Sequence, residues 1–145
     1  EQISKEVGYV LENNEVTASI RDCIINGDPV TKMRRIADAV GANLLFDDEK
    51  VVLMPKKGSR KTQGELPLIN SSNGMIGYPT FSNNGINVSC FFRPELRIGA
   101  NFKLESIVPH ASGTWKIVAL KHELSANDPA GGSWKTSISG IYPRW

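Results

Sequence analysis

Cysteine and histidine are scarce in this chain, and neither is spaced like a set of metal ligands. Its 145 residues include two cysteines, Cys23 and Cys90, and two histidines, His110 and His122. A structural zinc site needs four such ligands, and these four include no CxxC or HxxxH spacing. Disulfide scaffolds are far richer in cysteine. We therefore expect no metal, no cofactor and no disulfide framework, and a cytoplasmic site of assembly.

Long apolar runs and a large excess of one charge are also missing. No apolar run approaches about 18 residues and no signal-peptide pattern is visible, so the sequence predicts no membrane partner. The net charge is +2, but residues 1–56 carry 7 basic and 10 acidic side chains, whereas residues 57–145 carry 10 and 5. The basic half has no Lys/Arg stripe interleaved with aromatic residues, which disfavours sequence-specific nucleic-acid binding.

Residues 1–56 predict a small α/β domain that begins with a helix and a strand. The stretch QISKEVGYVLE places its apolar residues, Ile3, Val7, Val10 and Leu11, at helical spacing. The stretch EVTASI alternates in the pattern of a short strand. Because the chain opens inside the predicted helix and has no initiator Met, we expect it to be a fragment of a longer protein.

A second helix and a hairpin complete this predicted domain. Asp28 is a suitable N-cap, Pro29 suits the first helical position and Gly41 suits the C-terminal end. An apolar stripe runs between them, formed by Val30, Met33, Ile36, Ala37 and Val40. The following LLF, DDE and VVLM segments then predict a tight β-hairpin. The expected order is therefore helix, strand, helix, hairpin.

Residues 57–65 predict a linker between two domains. The surrounding PKKGSRKTQGE segment combines proline, two glycines and four basic residues without periodicity. A solvated hinge is the favoured interpretation. The alternative is a basic patch that binds a phosphate or an acidic partner.

Residues 66–145 predict an antiparallel β-barrel domain. The segments GMIGYPTF, INVSCFF, NFKLESIV, TWKIVALKHEL and SWKTSISGIYP alternate, and turn signals separate them. Cys90 lies on the apolar face of its segment and is expected in the core. The segment TWKIVALKHEL is apolar on both faces, which predicts a strand covered on both sides. The predicted fold class is therefore α+β.

The stretch PHASGTWKIVALKHELSANDPAGGSW carries most of the candidate chemistry. We expect His110 to be exposed in a turn, and a ring nitrogen of His122 to bond a loop carbonyl or Asp128. A hydrolase that uses His122 and Asp128 is the catalytic alternative. Neither Ser112 nor Ser133 stands in a G-x-S-x-G elbow.

Other catalytic groupings are also poorly supported. A Cys–His dyad would need Cys23 or Cys90 beside a histidine, and Cys90 is predicted to be buried. Glu105 and Glu123 occupy solvent-facing strand positions, where nothing raises their pKa as a glycosidase acid would need. The DPAGGSW glycines precede a strand rather than a helix, so this loop is not a phosphate loop, and Gly131 and Gly132 are expected at positive φ. We therefore predict no catalytic residues.

Two tryptophans flank the same stretch and have two possible roles. Trp115 and Trp134 are core residues if they pack inside the barrel. If either faces outward, it is an interface anchor. An exposed ring would also suit a glycan- or cell-wall-binding module of a phage tail lysin, which is the alternative function.

The order of the motifs resembles the tail-hub, or baseplate hub, proteins of tailed bacteriophages. The matching elements fall on Gly77–Pro79, Phe92–Gly99, Glu105–Ser106, Gly113–His122 and Pro129–Trp134. The upstream segment from LENNEV to MPKKG is similar to the small α/β insert of that family. The resemblance covers nearly the whole chain, and the order and spacing of its motifs make it specific.

The resemblance implies a structural protein of the virion tail baseplate, assembled in the host cytoplasm. Such hubs are homotrimers, and each subunit carries two barrels of the tail-tube type, so that a ring of six connects a sixfold tail tube to a threefold central spike. Expected partners are the tail tube, the central spike and the baseplate wedge. This chain shows one barrel-like half, and the other barrel is expected in an N-terminal part outside it. No enzymatic activity is expected.

Overall fold

The computed structural model describes residues 2–21 and 24–142. The chain folds into two compact units, one ending at Arg60 and the other beginning at Lys61. Together they have a mixed α+β fold made mostly of strands. Within the described ranges, no helix has the length and apolar character needed to cross a bilayer.

The first unit contains two helices and a three-stranded sheet. Its elements are α1 (Gln2–Glu6), β1 (Val10–Asn13), α2 (Pro29–Ala39), β2 (Ala42–Asp47) and β3 (Lys50–Pro55). The sheet order is β1-β3-β2, with β1 parallel and β2 antiparallel to β3. The elements follow the expected order of helix, strand, helix and hairpin, but the strand is Val10–Asn13 and not the predicted EVTASI.

The position of the first helix and strand differs from the prediction. α1 ends at Glu6 because Gly8 adopts a φ of 75°, and bonds from Gly8 N to Lys5 O and from Tyr9 N to Ser4 O close the helix. Val10 and Leu11, expected on the helix, lie in β1 instead. They extend because β3 offers them a parallel partner.

The predicted EVTASI strand is wrong. The segment that contains Val16, Ala18 and Ile20 forms no strand. The Asn13 side chain bonds both the N–H and the carbonyl of Val16, and Glu15 adopts a φ of 65°. These contacts turn the chain away from the sheet immediately after β1.

The second helix, with its predicted N-cap and first-turn proline, and the hairpin are confirmed. Asp28 caps α2 by accepting a hydrogen bond of 3.1 Å from Thr31 N, and Pro29 occupies the first turn. Met33 and Ala37 of the apolar stripe are buried. Strands β2 and β3 pair antiparallel from Ala42↔Pro55 to Asp47↔Lys50.

The predicted solvated hinge is wrong at Arg60. No helix or strand covers residues 57–65, but Arg60 is only 7% exposed. Its guanidinium bonds Glu12 through Nε and Nη2, each at 2.7 Å, and bonds Asp47 through Nη1. The charge of one of the four basic residues is therefore compensated by two carboxylates of the first unit. This pairing also weakens the basic-patch alternative.

The second unit is a six-stranded sheet that curls into a half-barrel. Its strands are β4 (Leu68–Ile69), β5 (Met75–Ser82), β6 (Gly85–Phe91), β7 (Asn101–Leu104), β8 (Gly113–Leu124) and β9 (Trp134–Ile141). Their order is β4-β7-β8-β9-β6-β5, so β4 and β5 are the two edges. Only the β4–β7 pair is parallel.

One face of this sheet carries the hydrophobic core. Its largest members are Phe102, Trp115, Leu96 and several aliphatic residues of β6, β8 and β9. Cys90 is fully buried there, as predicted, and burial raises the pKa of its thiol. The opposite face carries shorter polar side chains, among them Asn87, as the alternation along β6 and β9 predicts.

The prediction that β8 is covered on both sides is wrong for this chain. A register shift separates the pairs Ile117↔Gly140 and Ala119↔Ser139, so β8 holds one extra residue beside Val118. The bulge returns Leu120 to the core side opposite Ile138. Ile117 before the bulge and Leu120 after it therefore lie on the same face of the sheet. Val118 itself is 45% exposed.

Candidate interaction surfaces

The two histidines do not converge. His110 is exposed in the β7–β8 loop with a φ of 62°, and His122 lies near the far end of β8. Nine strand residues after Gly113 place them roughly 30 Å apart. Across residues 2–21 and 24–142, no three His, Cys, Asp or Glu side chains form a metal-binding group. Cys23 lies outside the described residues.

The partner predicted for His122 is wrong. Its Nδ1 lies 2.8 Å from Oγ1 of Thr136, the residue directly opposite on β9. That hydroxyl is buried and also accepts the Arg93 N–H at 3.2 Å. Asp128 instead accepts from Ala130 N within its own loop. The His122 ring therefore forms a side-chain contact between β8 and β9 and is not part of a catalytic pair.

The β8–β9 loop is a turn between strands, as expected. Gly131 adopts a φ of 83°, but Gly132 does not have the positive φ that we predicted, and β9 follows directly. Ser112 is occupied at another turn, where its hydroxyl donates to Ser106 O and accepts from Ser106 N, both at 2.9 Å.

Ion pairs hold the two candidate carboxylates in their charged form. Lys121 and Lys135 lower the pKa of Glu123 to about 2 through contacts of 2.6 and 2.7 Å. Lys103, aided by an amide, lowers the pKa of Glu105. Both shifts are opposite to the one that a glycosidase general acid requires.

The two tryptophans take different roles. Trp115 is 6% exposed and packs in the core, with its Nε1 donating to Ala111 O at 2.8 Å. Trp134 is 53% exposed, its Nε1 donates to Ser125 O at 2.8 Å, and Phe92 meets its ring edge-on. Trp115 is thus unavailable as a glycan platform, and Trp134 is a fixed aromatic group at the surface.

Side chains cap one of the two sheet edges. The carbonyls of Pro67, just before β4, and of Ile69 accept from Lys103 N and Glu105 N, so the intervening Leu68 carbonyl points outward. Asn73 Nδ2 and Arg93 Nη1 donate to that Leu68 oxygen at 2.9 and 3.1 Å. The outward carbonyl of Leu68 therefore already has its hydrogen-bond donors, and covering an edge in this way helps to protect it.

The other edge, β5, lacks charged protection. The 27 residues 66–92 contain no Asp, Glu, Lys, Arg or His, in a chain that is 22% charged. Ile76 and Phe81 of β5 are exposed large hydrophobic residues. Sheet edges usually carry lysine or another charge against unwanted pairing. The composition was visible in the sequence, but its place at an edge was not.

A curled sheet with an uncharged edge that exposes Ile76 and Phe81 is suited to contact with another protein. The comparison with protein families agrees, because the family model of the baseplate hub gp41 matches residues 2–130. The chain belongs to this baseplate hub family, which confirms the resemblance. It is thus a structural component of a bacteriophage tail baseplate, located in the virion, that interacts with other tail proteins. No curated protein matches the chain.

Proposed function

We propose that this chain helps to connect the tail tube to the central spike through protein–protein contacts, without enzymatic activity. Family membership supports the structural role. The bonding of His122 to Thr136 and the lowered pKa of Glu123 give no support to a hydrolase.

In the full-length protein the hub is a homotrimer that assembles in the host cytoplasm and also contacts the baseplate wedge. The half-barrel of residues 66–145 is its barrel of the tail-tube type. The chain has functional domains at residues 1–56 and 66–145, joined by residues 57–65. The break between compact units at Arg60 supports such a division.

The uncharged β5 edge is the observation that carries this proposal. A strand pairs with an edge through main-chain hydrogen bonds, and side chains beside it supply specificity. Contact with an uncharged edge buries no unpaired charge, which keeps the desolvation cost low. Ile76 and Phe81 add apolar area on either side of the strand.

The double variant Ile76→Lys/Phe81→Lys tests this edge. We expect the chain to fold normally and its co-assembly with the purified tail-tube and spike proteins of the same phage to weaken at least about tenfold. Two lysines would place charge at the joint and repel an apolar partner. Analytical ultracentrifugation of the mixtures gives the affinity.

Ile107→Lys is the matched control, because Ile107 is 84% exposed in the β7–β8 loop, away from β5. It should assemble as the unmodified chain does. Equal assembly of the double variant and the unmodified chain would show that β5 is not the contact. The mass of the full-length hub tests the trimer separately.

A further inference from the structure

A groove crosses the polar face of the half-barrel. It has a volume of about 520 Å³ and runs over four neighbouring strands, β8, β9, β6 and β5. Three strand spacings make it roughly 14 Å wide. This volume falls within the range of small-ligand sites in proteins. The polar side chains of the groove lie on the face opposite the core, and Val88 and Ile138 of the buried cluster also line it.

Short hydroxyl and amide side chains form the groove floor. Ser137 pairs with Ser89, and Ser139 pairs with Asn87, across the β6–β9 ladder, while Thr80 continues the second row on β5. The Ser139 hydroxyl donates to Asn87 Oδ1 at 2.8 Å, which orients the amide. A hydroxyl both donates and accepts a hydrogen bond, and the Asn87 amide has a donor nitrogen and an acceptor oxygen. The floor therefore suits a ligand rich in hydroxyl groups.

The groove offers no uncompensated charge. Lys121 is its one charged lining residue among those described, and its Nζ lies 2.6 Å from Glu123 Oε1. A phosphate or sulfate would have to compete with that carboxylate. The electrostatics therefore favour an uncharged ligand over an anion.

An exposed aromatic ring stands at the β5 side of this floor. Tyr78 is 67% exposed and lines the groove. The register shifts between Ile76 and Thr80, where Gly77 has a φ of 69° and Pro79 is buried. Such a bulge redirects a side chain at a cost in regular pairing. A Cβ on Gly77 would meet nothing within 4 Å, so the backbone conformation alone calls for glycine.

We propose that this groove binds an uncharged oligosaccharide. The Tyr78 ring stacks on the apolar C–H face of a sugar, and the floor hydroxyls and Asn87 bond its hydroxyl groups. The inference does not depend on the tube-to-spike role, because it concerns side chains on the sheet face, including Tyr78 and Thr80 of β5, rather than the main-chain edge of that strand. It places sugar recognition at Tyr78 and not at either tryptophan.

Amide NMR titration of the intact chain tests the proposal with three neutral probes: maltohexaose, a β-linked N-acetylglucosamine pentamer and a galactan fragment. We expect at least one to bind with a Kd of about 1 mM or lower and to shift the amides of Ser89, Ser137 and Ser139. Tyr78→Ala should weaken this binding at least tenfold, whereas Tyr78→Phe should retain it because stacking needs only the ring.

Trp134→Ala is the control, since Trp134 pairs with Leu124 on the other face of the sheet. It should bind as the unmodified chain does, and Gly77→Ala should weaken binding if its spectrum remains dispersed. Binding lost in Trp134→Ala, no response to any neutral probe at 10 mM, or a response only to a sulfated oligosaccharide would each overturn the proposal. Shifts on this floor with an added tail protein alone would also overturn it.

Discussion

Arg60 connects three separate parts of the first unit. Its guanidinium spans Glu12 on β1 and Asp47 at the end of β2, while the residue itself follows β3. The side chains of Glu12 and Asp47 are 27% and 22% exposed. Both carboxylates can therefore regain some water if the guanidinium is lost, which limits the energetic cost.

Arg60→Met is expected to reduce the stability of the first unit by about 1–3 kcal/mol, because charge-assisted hydrogen bonds of this kind contribute that much. Native-state hydrogen exchange of the β3 amides measures the change. Lys57→Met, an exposed position in the same segment, is the control and should change little. Equal values for the two variants would contradict the role of Arg60.

The same cluster predicts a pH dependence. Bonding to Arg60 lowers the pKa of Glu12 below its ordinary value of 4.5. A carboxyl with a lower pKa in the folded state stabilises the fold above its unfolded pKa, and that contribution is lost as pH falls through the folded pKa. Exchange protection in β3 should therefore decline below about pH 4.5. Glu12→Gln should flatten this decline, and an unchanged profile would exclude Glu12 as the source.

At the scale of elements, the bulge in β8 shows how one extra residue makes a prediction from sequence periodicity fail. The sequence predicts two apolar faces because a strict alternation assigns Ile117 and Leu120 to opposite sides. The bulge places them on the same side. A bulge of this kind depends on pairing with β9, which the residues of β8 alone do not encode.

Deletions in β8 test the bulge. Removing Val118 should give a regular strand that keeps Leu120, His122 and Leu124 on their present face, at a cost of about 1 kcal/mol or less. Removing Lys121 should cost several kcal/mol, because the residues after it change faces. Thermal unfolding followed by circular dichroism compares the two. Similar losses would show that the extra residue is not tolerated as a bulge.

Elements whose caps and turns lie next to them in the sequence could be predicted. Elements that depend on pairing with distant segments could not. α2 has its cap and proline adjacent in sequence, and the hairpins have their turns between their strands. β1 extends only because it pairs in parallel with β3, about forty residues away. The sequence therefore predicts a helix where the fold has a strand.

At the scale of the whole molecule, the sequence indicates the family better than it indicates the surfaces. The ordered motifs predict a baseplate hub, and family membership confirms this. Neither the β5 edge nor the groove could be located, because both are formed by strands whose order in the sheet is not their order in the chain. The absence of charge from residues 66–92 was a signal that only the sheet order made interpretable.

The capping of β4 by Arg93 and Asn73 restricts how copies of this chain can be arranged. Because the outward carbonyl of Leu68 already has donors, sheet pairing between copies would have to join β5 to β5 across a twofold axis, and Pro79 and the bulge at Gly77 limit the regular part of that strand. Threefold symmetry requires head-to-tail contacts between subunits. In a trimeric hub the β5 edge would therefore have to contact something other than the capped β4 edge of the neighbouring subunit. Sheet pairing between copies of this chain would therefore stop at a pair.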